Sequence, residues 1–329
     1  MPAKENILLI RLKSIGDIVF TLPAVRAVRE NFPRAKLHFL VSKEYASLLR
    51  GFSDVDEIIS VDREVYHAGN FANACAATFK LLRELRARNF SRVIDFQGYG
   101  ETELLAWWSG APERWGNVYH PPRGWAYSQG VTRLESLHPA EANLFLLQQC
   151  GLKIDRIVNG FILPEDALEK ARQFFAANNL DAARPTLFIQ PLTSATKKNW
   201  PLKNYLELAA YFQSRGLQII FGGGPADRAA LESVRAAGFV VSAGSPLLIS
   251  AGLMKLSTLV VGGDTGLLHL AVALGRRVVM LMRSNSRVHT HPFQHADWAV
   301  KSSSGQSILT VEIGAVLETI EQVLNLKTA

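Results

Sequence analysis

The chain has 329 residues, 48% hydrophobic and 20% charged, which excludes a disordered polypeptide and is too long for a single small core. A formal net charge of +7 favours anionic partners, yet no Lys/Arg run with interleaved aromatics supports nucleic acid. Two cysteines, Cys75 and Cys150, fit a reducing compartment and argue against a disulfide framework or a cysteine-built zinc site.

The first apolar run, "NILLIRL", reads as a buried strand; it is too brief for a signal peptide or a membrane span. No later run reaches the length of a spanning helix, so the protein is expected in the cytoplasm. A polar turn follows, and residues 17–31 form a helix stopped near Pro33. "KLHFLVS" and "DEIISVD" are the second and third strands. Residues 71–88 form a long helix, because Phe71, Ala74, Cys75, Thr78, Leu82 and Leu85 share one face. "RVIDFQG" is another strand, with Asp95 and Gln97 at its C-terminal end. Residues 140–151 form a helix ended by Gly151.

Between residues 155 and 186 the pattern weakens to a polar linker and one helix, "PEDALEKARQFFAANN". A second series then runs through strand "PTLFIQP", helix 203–215, strand "LQIIFGGG", helix 226–237 and strand "FVVSAG". Helix 247–256, strand "TLVVGGD", helix 265–274 and strand "RVVMLM" complete it. Strict alternation gives parallel sheets with right-handed crossovers, hence two doubly wound α/β domains. Their expected spans are 1–165 and 166–310, with the last helix, in 311–329, crossing back to the first. Gly16-Asp17 and Gly263-Asp264 both mark strand-to-helix junctions, where open α/β sheets bind ligands. Two facing domains are expected to set both junctions along one cleft.

Several segments carry chemistry. A helix N-terminus attracts anions, so Asp17 either caps its own helix or serves as a base. In "GGDTGLLHLAVALG", Asp264 is a helix cap or part of a pyrophosphate cradle made with the amides of Thr265, Gly266 and Leu267. His269, one turn on, is a packed histidine or a ligand. "QPLTSATKKNWP" offers the hydroxyls of Thr193, Ser194 and Thr196 and the amines of Lys197 and Lys198, either as a solvated turn or for phosphate oxygens. Its spacing is not that of a P-loop. Asp227, after "FGGG", caps a turn or takes ribose hydroxyls; the glycines do not spell the dinucleotide fingerprint, against an oxidoreductase. "HTHPFQH", with His289, His291 and His295, lacks a partner carboxylate and reads as a surface loop rather than a metal site. No serine-hydrolase or zincin motif occurs.

"RLKSIGDIVFTLPAVRAVRENFPRAKLHFLV", "VIDFQG", "HPAEANLFLLQQCGL", "TSATKKNWP" and "GGDTGLLHLAVALG", in that order, resemble glycosyltransferase family 9, the ADP-heptose:lipopolysaccharide heptosyltransferases. The resemblance implies a GT-B architecture, with acceptor on the N-terminal domain and nucleotide sugar on the C-terminal one. It implies an inverting, single-displacement transferase without cofactor or metal, and no nucleic acid partner. The implied substrates are ADP-heptose and a lipid-linked saccharide, the lipopolysaccharide inner core, with peripheral contact at the inner-membrane face.

By position, the resemblance makes Asp17 the general base and Lys198 the diphosphate-binding lysine, with Thr193 and Ser194 as hydroxyl contacts. Asp264, Thr265, Gly266, Leu267 and His269 match the nucleotide-sugar loop. Asp227, with Pro246 and Leu247 in "SPLL", matches the ribose and base positions. Ser14, Gly16, Arg63, Arg114, Arg123 and Arg133 are candidates for the acceptor. Two segments depart from the family pattern. The turn after the last strand reads "LMRSNSRVHTHPF" in place of a Gly-Pro-Thr-like turn, and a glycine run occupies 222–224. Both flank the donor side, so another nucleotide sugar with another glycan acceptor stays open, as does a non-catalytic nucleotide-binding protein.

Overall fold

Apolar runs flanked by glycine and polar turns, alternating with amphipathic helices, can bury both faces of a strand only inside a parallel sheet. A computed structural model of the chain describes residues 5–67, 71–119, 124–284, 290–303, 305 and 307–324. It divides into two compact units, Met1–Asn159 and Gly160–Ala329.

The first unit contains β1 (Asn6–Ile10), β2 (Lys36–Ser42), β3 (Glu57–Val61), β4 (Arg92–Asp95), β5 (Glu113–Val118) and β6 (Gln129–Thr132). All pair in parallel, in the spatial order β3-β2-β1-β4-β5-β6. Its helices are α1 (Ile15–Val19), α2 (Leu22–Asn31), α3 (Glu64–His67), α4 (Phe71–Ala87), α5 (Gly100–Trp108) and α6 (Pro139–Gln149). The second unit contains β7 (Thr186–Gln190), β8 (Gln218–Gly223), β9 (Val240–Ala243), β10 (Leu259–Gly263), β11 (Arg277–Met282) and β12 (Ala299–Lys301). These are parallel in the order β12-β11-β10-β7-β8-β9. Its helices are α7 (Glu165–Ala177), α8 (Leu202–Ser214), α9 (Glu232–Ala236), α10 (Leu247–Leu256), α11 (Gly266–Ala273) and α12 (Ile313–Leu324).

Each sheet therefore has the winding of a Rossmann-type fold, and the strand order reverses once in each. The switch points lie between β1 and β4 and between β7 and β10. At such a point the crossovers leave on opposite faces, which opens a crevice beyond the C-terminal ends of the strands. Asp17 follows β1; residues 193–198 follow β7 and Asp264 follows β10.

The structure corrects several local expectations. The pattern predicts one helix over 17–31, but α1 and α2 are separate, with Pro23 at the start of α2. A proline has no N–H to continue a helix and suits its first turn. In α4 only Leu85 is fully buried, with Leu81 and Leu82 partly covered, while Phe71 is 83% exposed; the predicted stripe reaches the core only at its C-terminal end. Helix 226–237 contracts to a single turn at Pro225–Asp227 followed by the short α9. Strand β5 and the edge strands β6 and β12 carry no clear apolar run. The last helix packs on α8, β11 and β12, burying Val316 and Ile320 in the second unit's core, where the sequence reading has it return to the first. Its apolar stripe is satisfied there by Trp200, Phe212 and the strands of its own sheet. Ile320→Ala, which empties a fully buried site, should cost the second unit about 2–5 kcal/mol in denaturant unfolding.

Candidate active site

In the first unit, the site grows from the end of β1. Arg11 follows the buried Ile10 and is itself buried. Its Nε donates to the Lys13 carbonyl at 2.9 Å and its Nη1 to the Phe96 carbonyl, beyond β4, at 3.0 Å. With two corners of the guanidinium fixed, Nη2 meets Asp17 Oδ1 at 2.8 Å. The other carboxylate oxygen accepts from the Ser14 amide at 3.2 Å and from the Ser14 hydroxyl at 3.1 Å. Asp17 thus caps α1 as well, the first of the two sequence readings. Burial by itself would raise its pKa, but the charge of Arg11 and the Ser14 hydrogen bonds outweigh this and hold it below the usual carboxylate range. The side chain is still 38% exposed. It is an ionised carboxylate, fixed on both oxygens and open to solvent.

Gly16 lies buried in α1 beside this carboxylate. Arg133 lies within electrostatic reach of Asp17, Arg11, Tyr99 and Tyr119, with its guanidinium over the Tyr119 ring. Its Nη1 is buried and has no hydrogen-bond partner among the described residues. Arg63 Nη1 lies 3.4 Å from Glu101, and Tyr45 feels both Arg63 and Asp17. Arg114 is placed elsewhere. It sits at the N-terminal end of β5, the opposite edge of the sheet, and donates to the carbonyls of Ala111 and Ala126. Arg123 lies outside the described residues.

In the second unit, β7 and β10 run side by side, with Gly262 level with Gln190. A side chain at Gly263 would meet the Lys198 carbonyl at 2.8 Å, so glycine is what lets the 193–198 loop lie against β10. Asn199 Oδ1 accepts from the Thr193 amide at 2.8 Å, and Trp200 anchors the loop by donating to the Val311 carbonyl at 2.9 Å. Thr193 Oγ1 bonds within the turn to Ala195, while Ser194 is exposed. Lys198 Nζ then reaches Asp264 Oδ2 at 2.7 Å. The same oxygen accepts from Thr290 Oγ1 at 3.2 Å, and Oδ1 lies 3.2 Å from His269 Nε2. Asp264 is mostly buried, which would raise its pKa, yet His269 and Lys198 drive it far below the usual carboxylate range. Thr265 caps α11, accepting from the Leu267 amide at 3.2 Å, and Gly266 opens that helix. A helix N-terminus, an ammonium and three hydroxyl-bearing residues, Thr193, Ser194 and Thr265, thus collect at one sheet edge.

Asp227 Oδ2 accepts from the Gly224 amide at 2.7 Å, the capping reading; it stands at the C-terminal end of β8. Pro246 and Leu247 begin α10 after β9, on the same edge. His295 stacks on Trp298 at 3.7 Å, and no three His, Cys, Asp or Glu side chains among the described residues gather as metal ligands. His289 lies outside the described residues.

Residues 78–317 match the family model described as glycosyltransferase family 9 (heptosyltransferase). The chain belongs to glycosyltransferase family 9. The transferase is 21% identical over 304 residues to the lipopolysaccharide core heptosyltransferase OpsX of Haemophilus influenzae, covering 90% of this chain and 84% of that protein. It superposes on the crystal structure of a family 9 glycosyl transferase from Veillonella parvula with a TM-score of 0.85 at 20% identity, covering 99% of each chain. On E. coli heptosyltransferase WaaC with ADP the TM-score is 0.77 at 20% identity, covering 97% of this chain and 99% of that one. These likenesses give the transferase its α/β, GT-B-like fold, and the family gives it an enzymatic activity, which closes the non-catalytic reading.

Two residues of the site escaped the sequence reading. Arg11 follows a buried strand, where a charged residue reads as a solvated strand end, and Thr290 lies in a segment without periodicity. Because Asp17 and Asp264 titrate lower in the folded state than in the unfolded chain, their stabilisation is present above the ordinary carboxylate pKa, roughly 4. It is lost as the pH falls through their folded values. Stability measured by denaturant should therefore decline steeply below about pH 4, and Asp264→Asn should lower stability at neutral pH while flattening that decline.

Proposed function

We propose that this transferase moves a heptose from ADP-heptose to a lipopolysaccharide inner-core acceptor in one inverting displacement, with Asp17 as general base and no metal. The carrying observation is a fixed, ionised, solvent-open carboxylate at one switch point and a cation beside a helix N-terminus at the other. The curated relatives, among them OpsX, bear heptosyltransferase names, which supports the choice of sugar.

In this mechanism the acceptor hydroxyl attacks the anomeric carbon and its proton passes to Asp17. The bond from that carbon to the diphosphate breaks, and the electron pair leaves with ADP. Lys198 and the amides of Thr265 and Gly266 face the charge that develops on the diphosphate, with Thr193 and Ser194 adding hydroxyls, while the Leu267 amide is held by the Thr265 cap. Asp264 is an anion and repels phosphate, so its part is to aim Lys198 and His269 rather than to touch the diphosphate. Asp227, Pro246 and Leu247 take the nucleoside end. On the acceptor side, the unpartnered guanidinium nitrogen of Arg133, with Arg63, Ser14 and Gly16, suits the carboxylates or phosphates of an anionic saccharide. Arg114, at the far edge of the sheet, has no part in it. A lipid-linked acceptor brings the enzyme to the cytoplasmic face of the inner membrane as a peripheral protein; no described helix is long and apolar enough to cross one.

A second reading, transfer of another sugar to another glycan, is favoured by the chain-specific turn after β11 and the glycines at 222–224. A panel of nucleotide sugars tests it: turnover with ADP-heptose supports the first reading, and preference for another donor the second.

Asp17→Asn should keep the fold and lose about 10²–10⁴ in kcat, and Lys198→Ala about 10²–10³; near-normal turnover by purified Asp17→Asn rejects the base. Transfer should persist in EDTA. The depressed pKa of Asp17 puts the acid limb of kcat/KM at the low end of the carboxylate range. Arg11→Gln, which removes the charge that holds the carboxylate ionised, should move that limb to higher pH.

A further inference from the structure

The Lys198–Asp264 pair raises a question of charge that the proposed function leaves open. At 2.7 Å the ammonium and the carboxylate cancel, and His269 is turned to the same carboxylate. A diphosphate entering beside this pair finds the charge of Lys198 already engaged by a carboxylate, with the fractional positive charge of the α11 N-terminus next to it. A further cation lines a small crevice beside this pair. Lys198, Asp264, Leu281, Met282, Ile308 and Arg283 surround it. Arg283 directly follows β11 and has no ion pair with any carboxylate among the described residues. Its neighbour Ser284 is fixed through its amide, which donates to the Ser302 hydroxyl at 3.1 Å.

Strand order says which end of a donor this guanidinium meets. Across the sheet, the nucleoside candidates Asp227, Pro246 and Leu247 follow β8 and β9, Lys198 and Asp264 follow β7 and β10, and Arg283 follows β11. Arg283 therefore lies on the side of the phosphate centre away from the nucleoside. Resting on the nucleotide-sugar reading, we propose that Arg283 binds the phosphate distal to the nucleoside and restores the positive charge that Asp264 cancels on Lys198. A guanidinium presents two parallel N–H donors to phosphate oxygens and stays charged at every working pH. It stands in the turn where this chain departs from the Gly-Pro-Thr-like pattern, so it is a device of this chain rather than of the turn in general.

Calorimetric titration of the intact protein with ADP and with AMP tests this. Arg283→Ala should weaken ADP binding by about ten- to a hundred-fold and AMP binding by less than about three-fold, since AMP lacks the distal phosphate. Arg283→Lys, which keeps the charge without the fork, should fall between, and thermal melting should match the wild type. Unchanged ADP affinity in a folded Arg283→Ala overturns the proposal, as does an equal loss for ADP and AMP. A wild-type protein that binds neither nucleotide overturns the nucleotide-sugar reading as well, so the two failures are distinct.

Discussion

A carboxylate in a half-buried crevice keeps its charge only if something nearby opposes the cost of leaving water, and at Asp17 that is the guanidinium of Arg11. Arg11 is itself held by two carbonyl oxygens, one of them from beyond the neighbouring strand β4. The orientation of the carboxylate is thus inherited from the sheet register that sets Ile10 beside Asp95. A buried arginine so constrained has little freedom to follow its partner away, so Asp17 is fixed in place rather than merely attracted. The price of this rigidity is basicity: the contact that keeps the carboxylate ionised also lowers its affinity for a proton. In the mechanism proposed for Asp17, such a carboxylate acts by position and by accepting the proton as the new bond forms, not by strength in the resting state.

The second unit solves a related problem with the charges reversed. There a carboxylate, Asp264, is the buried anchor, and the cation of Lys198 is the group left 32% exposed. His269 and Thr290 join Lys198 as the carboxylate's partners, so both of its oxygens are engaged at the start of α11. Both arrangements stand at the point where strand order reverses. This is the consequence of winding: crossovers departing to opposite faces leave the strand ends uncovered, and the glycines at 262 and 263 let the end of β7 and the loop after it close in on β10. The same strand order, repeated in two units, yields two candidate ligand edges with different chemistry because the residues after the strands differ.

Much of this was legible in the sequence. Apolar runs such as "NILLIRL" and "TLVVGGD" are long, continuous and bounded by turn residues, which only a strand covered on both faces explains. Asp17, Lys198 and Asp264 could be singled out because each follows such a run. The weaker signals failed for physical reasons. α4 carries an apolar stripe, but periodicity does not say how far a partner surface extends, and here the core meets only the last turns. α12 carries a stripe too, and a stripe does not name its partner. Arg11 was hidden because a charge after a strand looks like solvent exposure; only the backbone carbonyls of Lys13 and Phe96, brought together by the fold, make its burial tolerable. Arg114 shows the converse: residue type suggested ligand binding, but its position at the start of β5 turned it to the wrong edge.

The most direct test of the account is the titration of Asp17 itself, followed through its carboxyl ¹³C resonance in the folded protein and assigned by its loss in Asp17→Asn. The account predicts a midpoint below the ordinary value of about 4, moving upward when Arg11 is replaced by glutamine. A midpoint above about 5, or one indifferent to Arg11, would contradict it, because the carboxylate would then owe neither its charge nor its position to the guanidinium.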